Sequence, residues 1–147
     1  MSSCNLNECL DSTLLLAKHL LKSVTINKNF GAIPAIVCAP SQINQVFLNL
    51  ITNAVQAMEA GHGMLMLTTR GDDGGVAVEI VDNGKGIAPS VLPKIFDPFF
   101  TTKDVGRGTG LGLAITYGII QEHGGEITAG NAPDGGAVFR IELPATN

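Results

Sequence analysis

The sequence predicts an α/β (α+β) sandwich, a mixed and mostly antiparallel sheet with three main helices on one face. Three observations carry this. The chain has 147 residues, 45% hydrophobic and only 15% charged, which suits one domain with a sizeable core and is too apolar for disorder. Apolar spacing follows the order helix, two strands, helix, two strands, irregular stretch, helix, two strands. Two strand pairs close over glycine-rich loops, Gly71-Asp72-Asp73-Gly74-Gly75 and Asp134-Gly135-Gly136, and so read as hairpins. That order argues against a doubly wound α/β fold.

Element by element, Asn7 to Leu21 reads as an amphipathic helix with Leu10, Leu14, Ala17 and Leu21 near one face. Asn7 is its candidate cap, and Glu8 sits where the helix dipole favours an anion. Ser23 to Phe30 alternates as a strand, and Ala35 to Ala39 forms a second, buried one bounded by Pro34 and Pro40. Ser41 opens the strongest helix, in which Ile43, Val46, Phe47, Leu50, Ile51, Ala54, Val55 and Met58 share a face. Met64 to Arg70 and Val76 to Val81 are the first hairpin. From Asp82 to Gly110 the chain is polar and glycine-punctuated, with only a short helix near Ser90 to Ile95. So long a stretch in a compact domain marks a functional lid. Leu111 to His123 is an apolar, buried helix, and Glu126 to Ala129 with Ala137 to Leu143 make the second hairpin.

Charge and cysteine usage exclude several classes. Nine Lys+Arg against thirteen Asp+Glu give a net charge of -4, the opposite of the clustered positive charge a nucleic-acid surface needs. No apolar run approaches the ~20 residues of a membrane helix, and no secretory signal is visible. Cys4, Cys9 and Cys38 are odd in number and lack zinc-site spacing, which fits a reduced, cytoplasmic setting.

Three clusters carry chemistry. Asn49 and Asn53 stack one turn apart beside the apolar face of the Ser41 to Met58 helix, with Gln42, Gln45 and Gln56 along the same rim. Such amides are ordinary on a surface helix, yet they also suit Mg²⁺, which binds through one or two protein oxygens plus substrate phosphates. Asp82-Asn83-Gly84-Lys85-Gly86 follows a strand directly. Its glycines admit a flat ligand to bare backbone, and the strand-end carboxylate suits the amino group of adenine. The same pentapeptide also fits a tight turn with Asx chemistry. Gly106-Arg107-Gly108-Thr109-Gly110-Leu111-Gly112-Leu113 runs into a helix, where free N–H groups and the dipole make a phosphate site. Its G-x-G-x-x-G spacing lacks the strand context of a dinucleotide fingerprint, and it is not a P-loop. Between these clusters lies Ile95-Phe96-Asp97-Pro98-Phe99-Phe100-Thr101-Thr102-Lys103, whose phenylalanines pin the loop, while Lys103 and Arg107 bracket the glycines.

Together these residues resemble the ATP-binding catalytic (HATPase) domain of a bacterial sensor histidine kinase, in the Bergerat-fold (GHKL) superfamily. Asn49 to Met58 is similar to the family's N box and Asp82 to Gly86 to its first glycine box. Ile95 to Lys103 is similar to its phenylalanine box and Gly106 to Leu113 to its second glycine box. All four stand in family order, over roughly residues 20 to 145. The resemblance implies ATP held between the asparagine helix and a lid at about 88–110. It makes Asn49 and Asn53 the catalytic pair, Asn53 the principal Mg²⁺ ligand and Asn49 a phosphate or metal-shell contact. Asp82, Gly84, Gly86 and Ile87 would hold the adenine. Lys103, Arg107, Gly108, Thr109, Gly110, Leu111 and Gly112 would serve the phosphates. Hydrolytic relatives carry a Glu one turn before the metal asparagine. Here that position is Asn49, and an amide is no general base, so transfer to a histidine fits better than hydrolysis.

Two departures stand out. The family's acceptor-histidine pattern is missing: His19 lacks the following acidic residue and Pro, His62 sits in a glycine turn, and His123 ends a helix whose last carbonyls it can engage. The implied division is a lead-in at residues 1–22 from a dimerisation/histidine phosphotransfer domain and an ATP-binding domain at 23–147. Autophosphorylation is not expected without that partner domain. Ala137 stands where many relatives have Thr, a lost hydroxyl worth ~1 kcal/mol. A response regulator receiver domain is the implied downstream partner, and the domain is expected to be monomeric. Any membrane anchor would belong to the full-length kinase. The alternatives are a protein-serine kinase of the anti-sigma-factor type, disfavoured by the lid sequence, and a non-catalytic nucleotide-binding module.

Overall fold

The computed structural model describes residues 2–59, 61–72, 74–97, 112–133 and 135–145. Its elements are β1 (Ser2–Cys4), α1 (Leu6–Leu16), β2 (Thr25–Phe30), β3 (Ile36–Cys38), α2 (Pro40–Ala57), β4 (Met64–Asp72), β5 (Gly75–Asp82), α3 (Gly112–Glu122), β6 (Glu126–Asn131) and β7 (Ala137–Pro144). A single 3₁₀ turn, Leu92–Lys94, stands where the sequence predicts a short helix; Pro93 lacks the N–H that a longer helix would use.

Five strands form the main sheet in the order β2-β4-β5-β7-β6. β4 pairs antiparallel with β5, β5 with β7 and β7 with β6. β2 and β4 are parallel, as the intervening α2 crossover requires. This is the mixed, mostly antiparallel sheet expected from the sequence.

Period-two burial gives the sheet one apolar face. Leu65, Leu67, Val76, Val78, Ile80, Phe139, Ile141 and Leu143 are buried there. Against them α2 sets Ile43, Val46, Phe47, Leu50, Ile51 and Ala54, all buried. Truncating Phe47 in such a core costs about 3–5 kcal/mol. The outer face carries Arg140, paired with Glu79 at 3.2 Å and Glu142 at 3.0 Å, part-exposed contacts of small energetic weight. No helix among the described residues is long and apolar enough to cross a membrane.

Three local expectations are corrected. The first helix ends at Leu16, not Leu21; overlapping turns continue, with Leu21 N–H donating to Ala17 O, so Ala17 and Leu21 still reach the core. Asn5, not Asn7, caps it, accepting from the Asn7 N–H at 2.9 Å. Asn7 instead donates to Gly31 O at 3.0 Å and accepts from the Thr69 hydroxyl at 2.7 Å. The strand around Ile36–Cys38 does not join the main sheet but pairs with β1, a strand too short to show a period. That pairing brings the Cα atoms of Cys4 and Cys38 to 6.5 Å, and the two form a disulfide. The disulfide overturns the reading of the three cysteines as reduced, because an odd count gives no hint of such a pair. Cys9 is the free thiol, buried, and burial pushes it up from the ordinary thiol value.

Candidate functional site

The site begins with the last residue of β5. Alternation along the strand puts Asp82 on the same face as Val76, Val78 and Ile80, so a carboxylate occupies the end of an apolar column. It is 5% exposed. Two backbone donors compensate it: the Gly84 N–H at 2.7 Å and the Ala137 N–H at 3.3 Å, both to Oδ1. Burial pushes the carboxyl above its ordinary value, and those two hydrogen bonds pull back against it.

The turn after Asp82 is held from three sides. Asn83 accepts from the Met64 N–H and donates to His62 O, both at 2.8 Å, which fastens it to the start of β4. The Lys85 N–H donates to Ala57 O at 3.2 Å, capping the end of α2. A Cβ on Gly84 would lie 2.5 Å from that same carbonyl, so only glycine admits the helix end this closely. Gly86 has φ +76° and leads into Ile87. Asn131 accepts from the Ile87 N–H and donates to Ile87 O, each at 2.7 Å.

A stripe on α2 connects this turn to the start of α3. Asn49, Asn53 and Ala57 recur every fourth residue, one above the other. At one end, the Asn49 Nδ2 donates to Gly112 O at 3.2 Å and Thr116 Oγ1 at 3.3 Å, while Asn49 Oδ1 accepts from Gln45 at 2.7 Å. At the other end, Ala57 meets Gly84. Asn53 lies between, about 6 Å along the axis from each. It is half-buried, and no hydrogen bond among the described residues takes up its amide. The structure therefore joins α2 to Gly112 through Asn49 and to the Asp82 turn through Ala57 and Gly84, with Asn53 between them, while Gly86 and Ile87 at the far side of that turn are held by Asn131. Lys103, Arg107, Gly108, Thr109, Gly110 and Leu111 lie outside the described residues.

A hard-oxygen ion arriving with phosphates fits this donor set. Asn53 offers an unengaged amide oxygen, and among the described residues no group of three or more His, Cys, Asp or Glu could hold a metal without a ligand's help. Phe96 packs on Tyr117 with ring centroids 5.5 Å apart and on Phe139 at 6.4 Å, the pinning that the phenylalanine run predicts. Phe99 and Phe100 lie outside the described residues. His19 and His62 are exposed. His123 bridges two helices: its Nδ1 faces Ile119 O at 2.7 Å and its Nε2 accepts from the Ala39 N–H at 3.1 Å, so the proton sits on Nδ1.

Sequence reasoning misses Asn131 and Gly136. A Cβ on Gly136 would collide with Asp82 O, so β7 crosses the site only because that residue has no side chain. The Gly135-Gly136 pair was legible solely as turn composition. Asn131, a polar strand-end residue, carries no signal at all.

The fold is the ATP-binding α/β fold of histidine kinase catalytic domains. Residues 38–147, most of the chain, match the model for histidine kinase-, DNA gyrase B-, and HSP90-like ATPases. The chain belongs to that family. It is 37% identical over 147 residues to the sensor histidine kinase ZraS of Escherichia coli, covering 98% of this chain and 31% of that protein. It is 41% identical over 112 residues to sporulation kinase E of Bacillus subtilis, covering 76% of this chain and 15% of that protein. It thus spans about a third or less of these relatives. Among solved structures, the catalytic domain of the histidine kinase ThkA superposes with a TM-score of 0.88 at 32% identity, over 99% of this chain and 98% of that one.

Proposed function

We propose that this chain is the ATP-binding catalytic domain of a two-component sensor histidine kinase, delivering the γ-phosphoryl group of ATP to a histidine on a dimerisation domain outside the chain. The observation that carries the reading is the buried Asp82 carboxylate facing bare glycine backbone at one end of an amide stripe whose other end meets Gly112. Asp82 accepts from the adenine amino group. Gly84, Gly86 and Ile87 give the ring access to the backbone, and the N–H groups at the start of α3 face the phosphates with the helix dipole behind them. Lys103 and Arg107, with the glycines beside them, complete the phosphate side.

Asn53 is the residue that would hold Mg²⁺, which when bound supplies neutralisation of phosphate charge. Asn49 orients the neighbouring α3 start through its amide and has no capacity to deprotonate water. What this chain contributes is positioning and charge stabilisation, with the acceptor imidazole supplying its own nucleophile. The sensor-kinase relatives favour this over the serine-kinase alternative.

The reading extends to further parts of the chain and to its partners. Residues 1–22 are the lead-in from the dimerisation domain, about 88–110 form the ATP lid, and the phosphohistidine passes its group to a response regulator receiver domain. A solved complex of ThkA with the response regulator TrrA, whose kinase is 31% identical to this chain, is the precedent. The domain works in the cytoplasm as a monomer, whatever anchors the parent. The test is phosphotransfer from ATP to a dimerisation domain supplied in trans. Acid-labile phosphate on that domain, none on this chain, is the expected result; acid-stable phosphate on a serine would overturn it.

A further inference from the structure

The end of the second hairpin grips the Asp82 turn from two sides. Asn131 and Ala137 face each other as the last pair of β6 and the first of β7. Ala137 donates its N–H to the Asp82 carboxylate at 3.3 Å. Asn131, opposite, accepts from the Ile87 N–H and donates to Ile87 O, both at 2.7 Å. One side-chain amide thereby satisfies both backbone groups of a residue that no strand holds, in the way a neighbouring strand would. Between these contacts lies Gly86, where an added Cβ would approach Asn131 Oδ1 at 2.9 Å. The amide thus packs directly over the left-handed residue it stabilises.

We propose that Asn131 is a positioning residue for nucleotide binding, holding Gly86 and Ile87 in the conformation that presents bare backbone to the base. The proposal rests on the adenine reading of the Asp82 turn. It gives a second role at the base to a hairpin that already bonds the Asp82 carboxylate through Ala137. Because the grip is on the base side, it acts on ATP and ADP alike and leaves the phosphate contacts alone.

The experiment is calorimetric titration of the chain with ATP·Mg²⁺ and with ADP, alongside Asp82→Ala as reference. Asn131→Ala removes two neutral hydrogen bonds and should weaken both nucleotides about tenfold at full binding stoichiometry. Asn131→Asp keeps the acceptor for the Ile87 N–H and removes the donor, so it should fall between, and it carries the test if the alanine variant does not fold. Unchanged dissociation constants at full stoichiometry in both variants overturn the proposal. So does reduced stoichiometry with unchanged affinity, the mark of a purely structural residue, or a loss confined to ATP. If wild type binds and Asp82→Ala does not, such a result removes Asn131 alone. If wild type itself binds neither nucleotide, the adenine reading falls and takes Asn131 with it.

Discussion

The two ends of β5 make an instructive pair. At the Gly75 end, backbone meets backbone so tightly that a Cβ would strike Leu143 O, and an open groove runs past Gly124, Gly125 and Glu142. At the Asp82 end, glycines are just as tight, against Ala57 O and Asp82 O. Glycine packing is therefore common to both and identifies neither as a site. What differs is the polar content. The Asp82 end buries a carboxylate and has two asparagine side chains bonded around its turn, Asn83 and Asn131. A fold has no stability reason to bury an acid at the end of an apolar column, since desolvation works against its charge. Such a residue points to a ligand that needs it.

The comparison breaks most readily at Asp82 itself. Asp82→Ala should weaken ATP and ADP by about 100-fold and change thermal stability little, because removal of a buried charge offsets the lost acceptor for the Gly84 and Ala137 N–H groups. Asn53→Ala should weaken ATP·Mg²⁺ strongly and ADP without metal little. Wild-type affinity in both variants, measured by titration, would remove the assigned roles.

Next come the glycines. Gly84→Ala forces a Cβ to 2.5 Å from Ala57 O and should cost about 1–3 kcal/mol of stability together with nucleotide affinity. Gly75→Ala should cost comparable stability at the other end and leave the dissociation constant of the folded fraction unchanged. Equal effects on binding would erase the distinction between the two ends.

A smaller effect is pH-dependent. The folded-state pKa of Asp82 lies above the ordinary value of 3.8, with burial the leading cause. The folded chain then binds that proton more tightly than the unfolded one. Its contribution to stability is greatest below 3.8, declines as pH rises through the folded pKa, and is constant above it. Asp82→Asn should flatten that part of the stability profile, as followed by denaturant unfolding across acid pH. A wild-type slope surviving in Asp82→Asn would assign it to another group. Smallest of all is Ala137→Thr, which adds a hydroxyl beside the Asp82 carboxylate and should tighten nucleotide binding about fivefold.

Much of this was legible beforehand, for reasons particular to each element. The α2 face was readable because six buried residues recur at the helical period. The sheet was readable because alternation and glycine loops fix hairpins locally. The disulfide was not, since it joins residues 34 apart through a pairing that no local pattern announces. The first helix was overextended because turns after Leu16 keep the same apolar spacing without the helix.

The amino-acid order alone thus determined the periodic elements, the amide pair on α2 and the strand-end carboxylate, because each depends on neighbours within a few positions. Only tertiary structure decided that Ala57 closes on Gly84, that Gly136 lets β7 pass over Asp82, and that Asn131 reaches Ile87. Those contacts join residues 27, 54 and 44 positions apart by the numbering, and close approach between distant backbones is a property of packing, which no local period encodes.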